Sequence, residues 1–459
     1  MRLQRALLAL AATAALAPTA QALDLMQAWQ GAQQHAPAAA AARAARAAGA
    51  AQAEQALALW RPSVVVEGGA SRASGETTTR GAQFSAPGFG QSGGVSFDTS
   101  INDGTATRYA VAVRQPLYSR ERSARGQALE SSAQASEAQW ARSRQALMLS
   151  TVEAYFSVAL AAERLRLLQR QQQAVDQAAA EARDRFRIGD RPVIDVHEAT
   201  ARAAALQAER LAADTQWQVA CQVLSDLTGA ALDGSPLALP GEVRAEEPGS
   251  LADWLARAQR QNPVLRLAEA QLQTAEAHAR ASAAAFSPTV DVVAQLAHER
   301  LSGDGDFGRA SHTARNGSIG VQLSLPLYTG GLQTAQHAEG RALVDKARAE
   351  LERARQQVTQ QTRAAWLDLA VGRSRLAALS SALQASRARL DATHVGRQAG
   401  DRTTLDLLNA ENDAAASELS LLEARIGLLT RRLQLSELAG ELDDSMLQRA
   451  NAQLHIPSP

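Results

Sequence analysis

This sequence of 459 residues has no excess of charge of either sign and only one cysteine. Lys and Arg together number 47, and so do Asp and Glu, so the formal net charge at pH 7 is zero. This balance argues against the basic surface of a nucleic-acid-binding protein, and we expect no nucleic acid as a partner. The single cysteine, Cys221, cannot form an internal disulfide, and its helical surroundings predict a small packing residue.

The residue patterns of an enzyme site are also missing. The eight histidines show no metal-ligand spacing, and no glycine-rich loop stands between a predicted strand and a predicted helix to hold phosphates. We therefore predict no catalytic residue, no metal and no cofactor. Any transport by this chain would be passive, with energy supplied by a partner.

The N-terminus has the pattern of a secretory signal. Basic residues at Arg2 and Arg5 precede an apolar Ala/Leu stretch that ends at Ala20-Gln21-Ala22, a small-residue cleavage pattern. Residues 1–22 are thus predicted to be removed, with Leu23 as the first mature residue. Beyond them we find no apolar run long enough for a membrane-spanning helix, so any membrane span should consist of strands.

Two parts of the chain share one design. Leu25 to Pro37 aligns with Leu251 to Pro263, and the Pro-Leu-Tyr triplet that starts at Pro116 aligns with the one at Pro326. Each repeat is predicted to contain a helix, a strand hairpin, a long helix and a return helix. The predicted ranges are 23–229 for the first repeat with its hairpin at 62–116, 230–250 for a linker, 251–440 for the second repeat with its hairpin at 288–326, and 441–459 for a C-terminal tail.

The predicted helices are too long for a globular domain. No proline occurs between residues 119 and 187, and one helix over this range would be ~100 Å long. Its counterpart covers 333–395. The long helix matches two shorter ones laid end to end: the return helix at 192–227 and the entering helix at 25–59. The entering helix corresponds to 251–285 in the second repeat.

Alternating apolar and small polar residues predict strands with one face in lipid and the other in water. The pattern is clearest in the segment Ser318 to Leu325 and recurs at Tyr109 to Arg114, with Arg114 on the wet face. Each strand is expected to have ~9 to 11 residues, with the polar stretches 73–105 and 302–316 as outer loops. A soluble half-buried sheet would show the same period.

Aromatic residues favour the membrane interpretation of these strands. They make up only 4% of the chain, yet Trp60, Tyr118, Phe286 and Tyr328 all lie at the strand ends nearest the helices, where a membrane-interface belt is expected. Four strands cannot close a barrel, since the smallest spanning barrels have eight, so the chain is predicted to oligomerise.

In its duplicated order, its Pro-Leu-Tyr hairpin ends and its two Gly-Asp-Arg turns, the sequence resembles TolC-type outer-membrane efflux proteins, and its N-terminal segment is most similar to the type I secretion branch. The resemblance implies a mainly α-helical fold with a transmembrane β-barrel contribution. It also implies a homotrimer in outer-membrane lipid, with a 12-stranded barrel and a helical tunnel in the periplasm. The implied partners are a periplasmic adaptor protein and an ABC or proton-driven inner-membrane pump.

The same resemblance assigns roles to the two helix turns as the periplasmic tips. Asp406 matches the carboxylate of the family's pore aperture, Asn409 stands where the family has a second carboxylate, and Arg402 matches an arginine that holds the tip closed. Asp195 is the corresponding acidic residue of the first turn; the alternative for both aspartates is interaction with the helix dipole. The expected adaptor-contact residues are Gly189, Asp190, Arg191, Gly400, Asp401 and Thr403.

Two other classes of protein remain as alternatives. A periplasmic coiled-coil adaptor without its own pore would share the long helices, but it would not need two amphipathic hairpins with aromatic ends. A helical enzyme would need site residues that the sequence does not show.

Overall fold

A computed structural model describes residues 23–88, 90–190, 192–232, 237–241, 249–306 and 308–455. The predicted signal segment 1–22 lies outside these residues, as do Arg191, most of the predicted linker and the last four residues of the predicted tail. The chain divides into two compact units. Of the described residues, those within 23–48, 135–269 and 349–455 form one unit, here called the helical unit, and those within 49–134 and 270–348 form the other.

The order of elements is the same in the two parts of the chain. Long helices flank two strand hairpins, which confirms a mainly helical fold that contributes four long strands. The first part contains α1 (Leu25–His35), α2 (Pro37–Ala58), β1 (Ser63–Ala86), β2 (Gly90–Ser119), α3 (Arg120–Arg187) and α4 (Val193–Thr228). After the short β3 (Leu239–Pro240) follow α5 (Leu251–Gln261), α6 (Pro263–Ala284), β4 (Thr289–Gly305), β5 (Gly308–Ser324), α7 (Leu332–Gln398), α8 (Thr404–Leu438), α9 (Asp444–Asn451) and β6 (Leu454–His455).

The prediction of a single entering helix in each repeat is wrong. Each is broken before a proline: Ala36 and Asn262 are extended, with ψ of 127° and 126°. The proline ring clashes with the preceding residue in the helical conformation, which explains both breaks. At the second break, Asn262 is 2% exposed. Its side chain accepts from the amides of Val264 and Leu265 and donates to the carbonyl of Leu438.

The four long strands form one antiparallel sheet in the order β1-β2-β4-β5. They contain 24, 30, 17 and 17 residues, so the expected strand length of ~9 to 11 residues and the expected outer loops at 73–105 and 302–316 are corrected. Both hairpins continue as paired strands almost to their tips, since cross-strand hydrogen bonds satisfy the backbone even where side chains are small and polar.

The two faces of this sheet differ as the alternation predicts. Ile319, Val321 and Leu323 on β5 point to one face and are 78%, 70% and 67% exposed. Arg114 lies on the opposite face, as predicted, where its guanidinium is 2.8 Å from the carboxylate of the buried Asp291. One face is therefore apolar and is not covered by any other part of the described chain. The other face carries paired charges.

The main core of the helical unit joins the start of the described chain to its end. Trp29 is 1% exposed, and its indole nitrogen donates to Asp444 in α9 at 2.8 Å. Arg144 donates to the second carboxylate oxygen of Asp444 at 2.6 Å. Tyr155 is fully buried and accepts from the amide of Ala238, and burial raises its pKa to about 12. Cys221 packs at the edge of this core, as predicted.

Within the described residues, α3 contains one stretch that is apolar and long enough to cross a membrane, with a mean hydropathy of 1.3. The sequence-based expectation that no such stretch exists was therefore wrong, as judged by length and composition alone. Half of this stretch is buried. α3 contributes Met148, Val152, Tyr155 and Phe156 to the core, so packing against other helices explains its apolar character.

Replacing Asn262 with alanine is expected to destabilise the helical unit. The change leaves a buried carbonyl and two helix-terminal amides without their partner, which costs about 1–3 kcal/mol. Thermal unfolding of the detergent-solubilised protein, followed by circular dichroism, should show a lower midpoint. Gln261→Ala, at the exposed neighbouring position, is the control, and equal midpoints for the two variants would contradict this account of the helix break.

Candidate functional site: the two helix turns

The turns between α3 and α4 and between α7 and α8 have the same backbone geometry. Gly189 and Gly400 have φ of 78° and 85°, in the left-handed region where glycine is favoured. In both turns the glycine amide and the amide of the following aspartate bond back to the last turn of the preceding helix. This pattern is the Schellman motif, and it confirms that the two glycines cap their helices.

The two turns differ in how the next helix begins. Thr403 and Asp406 form a reciprocal capping box, in which the Asp406 carboxylate accepts from the Thr403 amide at 2.9 Å and hydroxyl at 2.8 Å, and the Thr403 hydroxyl accepts from the Asp406 amide. Pro192 at the start of α4 offers no side-chain cap, so Asp195 has no such partner there. The repeats are therefore unequal at their turns.

These bonds determine the protonation of Asp406. The hydrogen bonds from the Thr403 amide and hydroxyl lower the pKa of Asp406, and the charge of Arg402 lowers it further. In the single chain, Asp406 is thus a carboxylate held ionised at the start of a helix. This is the helix-dipole interpretation of the residue, and it leaves the ring of three carboxylates as a separate prediction.

One charged cluster at the turns was missed from the sequence. Glu181 in α3 accepts from Arg397 in α7 at 2.6 Å and from Arg185, one turn along its own helix, at 2.7 Å. This carboxylate therefore links the two repeats. Burial raises the pKa of Glu411 nearby, an effect that the charges of Arg397 and His394 partly offset. The sequence places Glu181 and Arg397 shortly before the two capping glycines, but only the fold shows that they meet.

A groove at the turns brings two of the predicted residues together. Asp195 and Thr403 both line it, so the first turn and the start of α8 share one surface. Its lining residues are Ala178, Glu181, Ala182, Arg185, Asp195, Glu198, Ala199, Arg202, Thr403, Thr404, Leu405 and Leu408.

The other predicted residues lie outside this groove. Asn409 is exposed on α8. The side-chain stem of Arg402 lies over Gly396, where an added Cβ would approach its Cγ to 2.8 Å. Gly189, Asp190, Gly400 and Asp401 are exposed. Arg191 lies outside the described residues.

Exposed apolar side chains at the turns were also missed. Phe186, Ile188, Val193 and Ile194 surround the first turn and are between 47% and 76% exposed, and Val395 near the second turn is 64% exposed. The sequence could have indicated them, because apolar residues stand directly beside the polar Gly-Asp-Arg triplets, where a solvent-exposed turn would normally be polar. Such residues outside a core are typical of a protein contact surface.

The predicted interface aromatics all reach the surface. Trp60, Tyr118 and Phe286 are 37%, 48% and 45% exposed, and Tyr328 is 87% exposed. Tyr118 pairs across strands with Val290, which places it on the apolar face of the sheet.

The family model for outer membrane efflux proteins matches residues 28–230 and 254–441 of this chain. The chain belongs to this family. It is therefore an outer-membrane protein of a family of channels rather than enzymes, and its helical part extends into the periplasm.

Curated relatives and solved structures agree with this assignment. TolC of Vibrio cholerae is 26% identical over 348 residues, or 74% of this chain and 78% of its own length. The alkaline protease secretion protein AprF of Pseudomonas aeruginosa is 26% identical over 74% of this chain and 70% of its own. The solved structure of VceC from Vibrio cholerae has a TM-score of 0.69 at 19% identity, covering 91% of this chain and 97% of that one, and supports the fold.

Removing the Thr403 hydroxyl is expected to loosen the first turn of α8. Thr403→Ala deletes the cap at a cost of about 1 kcal/mol, so amides at the start of α8 should exchange with solvent roughly five times faster. Thr404→Ala, the same chemical change one residue later, is the control. The pKa of Asp406 is lowered on folding, so its ionised carboxylate stabilises the folded first turn of α8 at neutral pH. This stabilisation is lost as the pH falls through the lowered pKa.

Hydrogen exchange measured by mass spectrometry tests both parts of this prediction. Unchanged exchange in Thr403→Ala would show that the capping box does not hold the turn, as would equal acceleration in the Thr404→Ala control.

Proposed function

We propose that three copies of this chain form a closed 12-stranded barrel and a helical duct, through which substrates leave the periplasm. The supporting observation is the sheet itself: β1 and β5 each pair on one side only within the chain, and one face exposes a band of Val, Ile and Leu. In lipid, unpaired strand edges are unfavourable, and closure with further copies satisfies them.

The helix turns are proposed to contact a periplasmic adaptor protein. Exposed apolar residues at both turns, together with the charged groove that contains Glu181, Asp195 and Arg202, offer a mixed surface suited to a helical partner. The capping glycines hold these side chains in defined positions. Among the predicted contact residues, Asp190 and Asp401 are the exposed charges that such a partner would meet first.

For the substrate and the pump, we propose protein secretion with an ABC exporter. AprF and the related PrtF of Dickeya chrysanthemi, 26% identical to this chain over 77% of its length, are named for secretion of proteases. Affinity purification of the tagged chain after cross-linking in its native cell should recover an inner-membrane ABC protein. Recovery of a proton-driven pump instead would assign the chain to small-molecule efflux.

At the aperture, we propose that three copies of Asp406 surround the pore axis and attract cations, with Asn409 adding no charge. The carboxylate oxygen that is not engaged by Thr403 would face the pore. Arg402 and the Glu181–Arg397 pair are proposed to restrain the turns in the closed state. Asp195, which lines the groove, is proposed to contribute less than Asp406 to the charge at the aperture.

Replacing Asp406 with asparagine tests the ring. Asparagine retains an oxygen for the cap but removes three charges from the assembly. In planar bilayers, the concentration of Mg²⁺ that halves the conductance should therefore rise roughly tenfold. Asp401→Asn, an exposed neighbour beyond the cap, is the control. Unchanged Mg²⁺ block in Asp406→Asn would rule out the ring while leaving the channel itself in place.

A further inference from the structure

The apolar face of the sheet ends in two rows that carry polar and basic residues. Cross-strand pairing aligns Tyr109 on β2, His298 on β4 and Arg315 on β5 in one row, and the next row outward carries Arg300. Directly opposite residues in antiparallel strands share a face. The rows on the helix side of this position hold Val111, Leu296 and the exposed apolar residues of β5.

The height of this row fits the outer boundary of the membrane. Val290 lies near the helix-joined end of β4, and His298 follows eight residues later on the same face. At ~3.4 Å per residue and a strand tilt of ~40°, this separation spans ~20 Å of bilayer, close to the ~25 Å apolar band of outer-membrane barrels. His298 and Arg315 therefore lie where hydrocarbon gives way to lipid headgroups, and Arg300 lies just beyond.

The charges on the two faces of the sheet are treated differently. On the polar face, Arg108 lies 3.3 Å from Glu299 and Arg114 lies 2.8 Å from Asp291, so each arginine has a carboxylate partner. On the apolar face, the described stretches 64–72, 105–115, 290–302 and 311–323 place no carboxylate. Arg300 and Arg315 are both exposed there. A guanidinium at a lipid boundary needs an anion, and within these stretches the chain provides none on this face. The next carboxylates, Asp304 and Asp103, lie farther toward the hairpin tips, and Asp103 is 3.9 Å from Arg72.

The shape of the surface suits an amphipathic anion. Tyr109, His298 and Arg315 line one groove together with Val66, Val111 and Leu296. The groove thus has a cationic outer end and an apolar inner end. Arginine pairs with phosphate through two parallel hydrogen bonds, whereas aliphatic side chains accept acyl chains.

We infer that Arg300 and Arg315, with His298 and Tyr109 beside them, bind the phosphate groups of an anionic lipid in the outer leaflet. The acyl chains of that lipid would lie along the Val, Leu and Ile rows below. This inference rests on the proposed barrel, because only a sheet that spans the membrane brings the row to the headgroups. A lipid bound in this position would fix the depth of the barrel and offset the charge of several arginines at once.

Lipid retention by charge variants tests the inference. Wild-type protein, the double variant Arg300→Gln/Arg315→Gln and the control Arg108→Gln would each be placed in phosphatidylcholine nanodiscs containing about one tenth lipid A, either phosphorylated or dephosphorylated. Arg108 lies at a similar height on the polar face, so its removal changes the charge without changing the proposed site. Lipid A retained after washing is counted by mass spectrometry.

Wild type and Arg108→Gln are expected to retain several times more phosphorylated than dephosphorylated lipid A, and the double variant should lose this preference. Equal retention by the double variant and wild type would overturn the inference, as would an equal loss in Arg108→Gln. The single-channel conductance of the same protein variants, measured in planar bilayers, separates the two proposals. Conducting protein without a lipid preference contradicts only the lipid site, whereas absence of conductance in every sample contradicts the barrel.

Discussion

The constraint on which the sheet depends is the pairing of backbone groups in a medium without water. Each of the edge strands β1 and β5 presents an unpaired row of amides and carbonyls on its outer side. Leaving such groups in lipid costs several kcal/mol each, so a four-stranded sheet with an exposed apolar face is unstable there as a single chain. The side chains suit the same medium, because the band around Ile319 has no apolar partner within its own chain and lipid can cover it.

The helical unit satisfies its needs differently. Its main core packs within one chain, from the buried Trp29 to α9, and helix ends are capped by glycines, by Asn262 and by the box of Thr403 and Asp406. Where the two repeats differ, the difference is a matter of individual residues: proline opens α4, whereas threonine opens α8. One turn is thus held by a side-chain cap and the other is not, a difference on which the proposed gate could act.

Much of the architecture could be predicted from the sequence because it depends on local patterns. Duplication, helix extent and the alternation of β5 follow from spacing, and the caps at Gly189 and Gly400 follow from glycine next to an uninterrupted helix. The helix breaks were also accessible, since Pro37 and Pro263 restrict the residue before them. These breaks are hard to recognise because the segments on both sides of each proline are rich in residues that favour helix, such as alanine, glutamine, leucine and arginine.

Features that depend on distant residues could not be predicted in this way. The contact between Glu181 and Arg397 joins positions from different repeats, and Asp444 meets Trp29 only once the chain has folded back to its start. The length of the hairpins was underestimated for another reason. Glycine, serine and threonine at 73–105 are typical of loops, but a neighbouring strand that pairs with them residue by residue keeps them extended.

The number of chains in the membrane-extracted assembly tests the account most directly. Native mass spectrometry of the protein released from a mild detergent gives this number without any substitution. Three chains are expected, because three sheets of four strands close the proposed 12-stranded barrel and leave no edge unpaired. A stable single chain, in which β1 and β5 have no partner, would contradict this expectation, as would a predominant dimer, whose eight strands would form a smaller barrel.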